Sequence, residues 1–370
     1  MGRPSIGLRR GGANAARRGL TLAELLLAVG LFALLAVGLL RFLNGTLTIL
    51  READANAELL AEQAALFDWL VRDLEGPVAG SEGDFLIDWE VFDVDGDGLA
   101  GRPWPRVRLV REARPEEFDR LGLTFGARDR RPLLEICWAV LPRAGGPAPE
   151  GAPGVRGDGV LLRGERLRDA PGQSFFDPQF FDAAGRPGAG LEELATGILG
   201  LRVLCATETS VVQESWKAGV SIEQAAIAWD GRALGRPRLE RHPLNERHQF
   251  LPAPADQPSA EVRLPRRIRI ELELEREADT LRRSTLRAQV DPEADFLLVS
   301  REERLPPDVG AMILVGEEWM RVTGVREQKV SVQRGLRGTR IAGHRAGTPI
   351  QFGRTVSREI VLPMGGQRWE

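Results

Sequence analysis

The chain has 370 residues, 43% of them hydrophobic, and a formal charge of -3 from 50 Lys+Arg against 53 Asp+Glu. That composition supplies a core and excludes a disordered chain, and the interleaving of arginines with acids leaves no basic stripe of the kind a nucleic-acid partner requires. The 42 Gly and 24 Pro point to many turns between short strands, which confines long helix to the N-terminus.

Residues 1–19 carry Arg3, Arg9, Arg10, Arg17 and Arg18 and no acid, a cytoplasm-retained flank by the positive-inside rule. Residues 20–43 follow with only two charges, Glu24 and Arg41. As a helix they reach about 36 Å, enough for a hydrocarbon core of about 30 Å. The apolar run is longer than that of a secretory signal and has no small-residue cleavage site after it; the one processing signal is Gly19, placed before it. Residues 44–76 continue as an amphipathic helix with Leu60, Phe67, Val71 and Leu74 on one face, stopped by Gly76-Pro77.

Beyond Pro77 the pattern is β-rich. Alternation marks strands at 106–110, 133–141, 159–167, 198–206 and 266–275; in the last, Ile268, Ile270, Leu272 and Leu274 share a face. The stretches between are rich in Pro and Gly and read as loops. Antiparallel sheets packed on the long helix make an α+β fold.

"RRGLTLAELLLAVGLFALLA" resembles the processing signal of type IV pilins and type II secretion pseudopilins: a basic leader, Gly, then a Thr-Leu-x-Glu-Leu-Leu core. The resemblance implies cleavage by a prepilin peptidase after Gly19, N-methylation of Leu20, and a filament contact between Glu24 and the N-terminal amine of a neighbouring subunit. Leu20 stands where Phe or Met is commoner. "FDWLVRDLEGPV", "RPLLEICWAVLP", "GVLLRGERL", "LATGILGLRVLCATE" followed by Trp216 and Trp229, "LPRRIRIELELE" and "TVSREIVLPMGG" resemble, in order, pieces of minor pseudopilin J. The resemblance implies a pilin-like globular domain over 77–291 closed by a strand in 353–370. It also implies an inner-membrane protein with a periplasmic head, placed at the pseudopilus tip beside I-like and K-like minor pseudopilins and the major pseudopilin. A minor pilin priming a type IV pilus or DNA-uptake filament shares the plan, and a membrane-anchored binding protein that forms no filament is the alternative of a different class.

Residues 292–352 interrupt that plan. "GEEWMRVTGV" and "RGLRGT…HRAGT" resemble a short β module of phage tail and baseplate proteins, which implies a small barrel or hairpin pair. "RGLRGT" lacks the Lys-Ser/Thr ending of a phosphate loop, so its glycines read as turns.

Asp93, Asp95 and Asp97 alternate before Gly98, three oxygen donors on a tight turn suited to Ca²⁺. Trp104 stands where an EF-hand loop needs a Glu, so a calcium loop and a solvated acidic turn both remain open; no other cofactor is expected. Cys137 and Cys205 lie in strand-like runs, and a disulfide in an exported head and two buried thiols are equally open. His242, His248 and His344 lack zinc-ligand spacing, and no nucleophile motif points to an enzyme.

Overall fold

The computed structural model describes residues 22–78, 84–92, 102–122, 132–143, 158–182, 185–206, 228–230, 250–251, 264–265, 267–275, 283–306, 309–337 and 339–362. The chain divides into two compact units, Met1–Glu58 and Leu59–Glu370. One helix, α1 (Leu22–Leu74), runs from the first into the second. The rest of the described chain is mostly strand, an α+β combination of one apolar helix with two antiparallel sheets.

The larger sheet contains β1 (Phe85–Val91), β2 (Pro103–Glu112), β3 (Leu133–Pro142), β4 (Gly159–Leu167), β5 (Leu191–Ala206), β6 (Ala228–Asp230), β7 (Phe250–Leu251), β8 (Arg267–Leu274) and β15 (Arg354–Val361). Their spatial order is β15-β8-β5-β4-β3-β2-β1-β6-β7, antiparallel except for β6 with β7. Period-2 alternation puts Leu134, Ile136, Trp138 and Val140 of β3 on one face with Val107 and Leu109 of β2, Leu201 and Val203 of β5, and Ile268, Ile270, Leu272 and Leu274 of β8. Leu66, Phe67, Leu70 and Leu74 of α1 pack into that face. Leu60 does not join them; it is 39% exposed, on the edge of the stripe formed by Gln63, Leu66, Phe67, Leu70 and Leu74 and nearly two turns before Phe67.

Two strand differences have local causes. β1 shows no alternation because both its faces are buried: Phe85 and Ile87 join the helix-side core, while Leu86 packs with Val110 and Phe176. β5 starts at Leu191, earlier than the alternation suggests, since Gly197 at φ +73° and the register shift between Ile198 and Gly200 break the period. A Cβ on Gly197 would also meet the Glu275 carbonyl oxygen at 2.9 Å.

The second sheet holds β9 (Ser284–Thr285), β10 (Phe296–Leu298), β11 (Met312–Val315), β12 (Glu318–Arg326), β13 (Lys329–Leu336) and β14 (Pro349–Gln351) in the order β10-β13-β12-β11-β14-β9. Its two ends meet: the Arg287 amide donates to the Leu298 carbonyl (2.7 Å), the Ser300 amide donates to the Thr285 carbonyl (2.9 Å), and Leu286 bridges Val299. The result is a closed barrel around Leu297, Val299, Ile313, Val315, Met320, Val322, Val330 and Ile350. It begins at Ser284, before the expected boundary at 292. Leu274 and Arg354 are register partners in the larger sheet, so the barrel is inserted at the tip of the β8–β15 hairpin.

Glu318 organises the barrel. Its carboxylate, 1% exposed, accepts from Arg334 Nε (3.0 Å) and Nη2 (2.6 Å) and from the amides of Gly335 (3.0 Å) and Ala342 (3.2 Å), and lies 2.8 Å from His344 Nε2. Burial alone would raise its pKa; these partners hold it below the usual value. Glu318, Arg334 and His344 of "GEEWM" and "RGLRGT…HRAGT" are thus one buried knot, and Arg334–Leu336, expected as a turn, close strand β13 instead, with Gly335 at φ +66°. Removing one side of a buried ion pair costs about 3–5 kcal/mol. Glu318→Ala should therefore accelerate amide hydrogen exchange across 284–351 while leaving β2–β4 protected.

Candidate functional site

Within the first unit, Leu25–Leu47 forms a 23-residue window of mean hydropathy 2.5, none of it buried. At 1.5 Å per residue it covers about 34 Å, the thickness of a hydrocarbon core. Leu26, Leu27, Phe32 and Leu34 are each more than 60% exposed, so the helix is apolar all round, unlike the one-sided stripe at 66–74. Such a surface is stable only against lipid or other apolar helices. The window reaches four residues beyond the expected end at 43. Gly19 and Leu20 lie outside the described residues; Glu24 is the third residue of α1, immediately before the window.

The last turn of α1 carries a buried, densely bonded carboxylate. Asp73, 2% exposed, accepts from Arg111 Nε (3.1 Å), Trp138 Nε1 (2.9 Å), and Arg163 Nε (2.9 Å) and Nη2 (3.2 Å). One side chain thereby ties the helix to β2, β3 and β4. Arg111, 1% exposed, turns its other nitrogens to Glu117 at 2.8 and 2.6 Å, and Arg163 reaches Glu165 at 3.0 Å. Glu117, in the 3-10 turn Pro115–Glu117, also accepts from the Arg114 amide at 2.8 Å. Burial pushes the Glu117 carboxyl up, but the hydrogen bonds from Arg111 and the Arg114 amide and the neighbouring guanidinium charges outweigh it, bringing its pKa to about 2.

Sequence reasoning passed over this network. Its signal was an acid, Asp73, at helical spacing from Leu66 and Leu70 inside the buried stripe, where an unpaired charge is untenable.

The opposite face of the larger sheet is polar beneath an aromatic cover. Asp88 pairs with Arg106 (2.8 Å) and Arg108 (2.5 Å); Arg106 lies 4.5 Å from the centroid of Phe181, which packs with Phe175 and Phe180. Burial opposes ionisation of Asp88, yet the two arginines hold its pKa below the usual value. Cys137 lies on this face and Cys205 on the helix side; both are free. The disulfide left open by the sequence is therefore not formed, since the sheet separates the thiols. Burial pushes Cys137 up to about 12 and Cys205 higher still, so neither is a thiolate at neutral pH.

Asp93, Asp95 and Asp97 lie outside the described residues, as do His242 and His248. Among the described residues no three His, Cys, Asp or Glu side chains group in a way that could hold a metal ion. No family model, curated protein or solved structure matches the chain. The functional reading rests on the residues and their geometry.

Asp73→Ala leaves Arg111 and Arg163 short of their shared anion and should lower the unfolding free energy of the head by about 3–5 kcal/mol in denaturant titration. Glu117 gives a pH signature. Its folded pKa of about 2 lies below the ordinary 4.5, so its contribution is present above pH 4.5 and is lost as pH falls toward 2. Melting temperature should drop through that window, and Glu117→Gln should shallow the drop.

Proposed function

We propose that the chain is a J-like minor pseudopilin of a type II secretion system, a structural subunit and not an enzyme. The observation that carries this reading is the register of "RRGLTLAELL" against the exposed apolar window: the glycine, the Thr-Leu pair and the glutamate fall immediately before Leu25–Leu47. A helix that is apolar all round and then one-sided, with one antiparallel sheet receiving the one-sided part, supports a pilin-like plan.

In this mechanism a prepilin peptidase cuts after Gly19 and methylates Leu20. The anchor stays in the inner membrane and the head lies in the periplasm. The new amine of one subunit meets Glu24 of its neighbour, so the cost of a carboxylate at the edge of a bilayer, about 2.5–3.5 kcal/mol at the helix centre and less near an end, is offset only in the assembled filament. The head joins I-like and K-like subunits at the tip, where the minor subunits start the filament that the major pseudopilin extends. A minor pilin priming a type IV pilus uses the same parts. The inserted barrel, absent from the resembling plan, favours as a second reading a membrane-anchored binding protein that builds no filament.

Intact-mass and N-terminal analysis of the membrane form should find methyl-Leu20; another mature N-terminus rejects both filament readings. Glu24→Ala should leave membrane insertion unchanged or improved while reducing incorporation into filaments, read by shearing and fractionation. Co-isolation with an I-like subunit supports secretion, whereas co-isolation with pilus subunits supports the pilus.

A further inference from the structure

The barrel meets the larger sheet through side chains. Among the described residues no backbone hydrogen bond joins a strand of one sheet to a strand of the other. Their apolar cores share no residue, and the junction has a small cluster of its own, Leu199 of β5 with Leu314 and Trp319 of the barrel. Charged pairs flank that cluster. Glu273 alternates with Leu272 and Leu274 and so faces away from the helix side of the sheet; it accepts from Arg337 Nη1 at 2.6 Å, and Glu317, between β11 and β12, pairs with Arg102 at 3.5 Å.

Arg337 is held there against its backbone preference. The Thr339 amide donates to the Leu336 carbonyl at 3.0 Å, which makes Arg337 the second residue of a tight turn, at φ +55°. That position favours Gly, Asn or Asp, because longer side chains are strained in the left-handed region. Glu327, also at positive φ, sits in the two-residue β12–β13 hairpin, where such a conformation is usual. No hairpin requires it of Arg337, since β13 and β14 are not neighbours in the sheet. What the turn delivers is the side chain: its guanidinium reaches Glu273 and lies 4.2 Å from the Trp319 ring centroid. Gly200 of β5 leaves room for both, since a Cβ there would lie 3.5 Å from the Trp319 ring and 3.9 Å from Arg337 Nη1.

The closed junction also leaves bonds unmade. Gln351 Oε1 and Asp158 Oδ1, on residues 1% and 2% exposed, have no hydrogen-bond partner among the described residues, although Gln351 reaches Glu275 and the Asp158 charge acts on both Arg102 and Glu275. A buried acceptor without a donor favours any state that lets water reach it.

We propose that the barrel is a latched unit that lifts off the face of β5 and β8 without unfolding, and that the Arg337–Glu273 pair is the latch. Closing sets one ion pair, a stacked ring and a three-residue apolar contact against the strain at Arg337 and two unmet acceptors, so the closed and released states lie close in free energy. Release uncovers Leu199 and Glu273 on the sheet together with Leu314, Trp319 and Arg337 on the barrel, a mixed apolar and charged surface that the closed molecule hides. The latch acts the same way whether or not the chain enters a filament.

The test uses the full-length chain in detergent micelles, carrying Leu199→Cys, with iodoacetamide alkylation followed by mass spectrometry. Cys137 and Cys205, both buried, report global unfolding in the same sample. The introduced thiol should be alkylated under native conditions, and Glu273→Gln, which weakens the latch from the sheet side, should speed that reaction about tenfold while Cys137 and Cys205 stay unmodified. Arg337→Gly removes latch and strain together; alkylation should rise as much, yet amide exchange in β12 and β13 should stay as slow as in the parent. Combining the two substitutions should add little to either alone. Leu314→Cys in place of Leu199→Cys should report the same opening from the barrel side. An introduced thiol that reacts no faster in either variant, or only in step with Cys137 and Cys205, overturns the latch, and so does loss of protection in β12 and β13 on Arg337→Gly, which would make Arg337 part of the barrel's fixed frame.

Discussion

A helix that packs on a sheet must be seated at a definite place, and in this chain the carboxylate of Asp73 sets that place. Apolar contacts of Leu66, Phe67, Leu70 and Leu74 hold α1 on the sheet but tolerate small slides, because such contacts are non-directional. Four hydrogen bonds from Arg111, Trp138 and Arg163 do not. They demand that Asp73 face the point where β2, β3 and β4 present those donors, so the carboxylate fixes both the rotation and the axial position of the helix. The secondary pairs, Arg111 with Glu117 and Arg163 with Glu165, hold the donors in place.

The barrel obeys the same logic at smaller scale. It hangs from a hairpin tip, a place where insertions are cheap because the two strands already end side by side. It is nevertheless held down: Leu199 of β5 packs with Leu314 and Trp319, while Arg337 bonds Glu273 at 2.6 Å and lies 4.2 Å from the Trp319 ring centroid. Gln351 and Arg283 both reach Glu275 at the neck. Burial pushes the Glu275 carboxyl above its usual pKa despite those partners, the opposite sign to Glu117. Ionising Glu275 therefore works against the neck as pH rises, whereas protonating Glu117 works against the helix seat as pH falls.

How much of this was legible follows from what each residue's neighbours demand. Strands with one buried face announce themselves, and β4 coincides with the alternation over 159–167. β1 hides because an aromatic cover from Phe175 to Phe181 buries its second face, and that cover comes from a loop far along the chain. The apolar window was readable from its composition alone, and none of it is buried among the described residues. The Asp73 network was not, since its meaning depends on which of many arginines arrive opposite, a matter of topology and not of local pattern. Glu318 lay in a motif singled out by resemblance, but its role as an acceptor for two backbone amides could not be read from side-chain types.

Closure of the barrel constrains how it could meet a partner. Strand addition needs a row of unpaired amides and carbonyls, and β9 and β10, the two ends of the sheet order, satisfy each other through Thr285, Arg287, Leu298 and Ser300. Its interior is lined by the buried apolar side chains of Leu297, Ile313, Met320 and Val330. What the barrel offers a partner among the described residues is the side chains of its surface and loops, and not a strand edge. A contact of that kind can be altered by substitution without disturbing the hydrogen-bonded frame, whereas the contacts of Asp73 that seat the helix on the larger sheet are tied to register. The chain thus separates a part that fixes position from a part free to vary in what it touches.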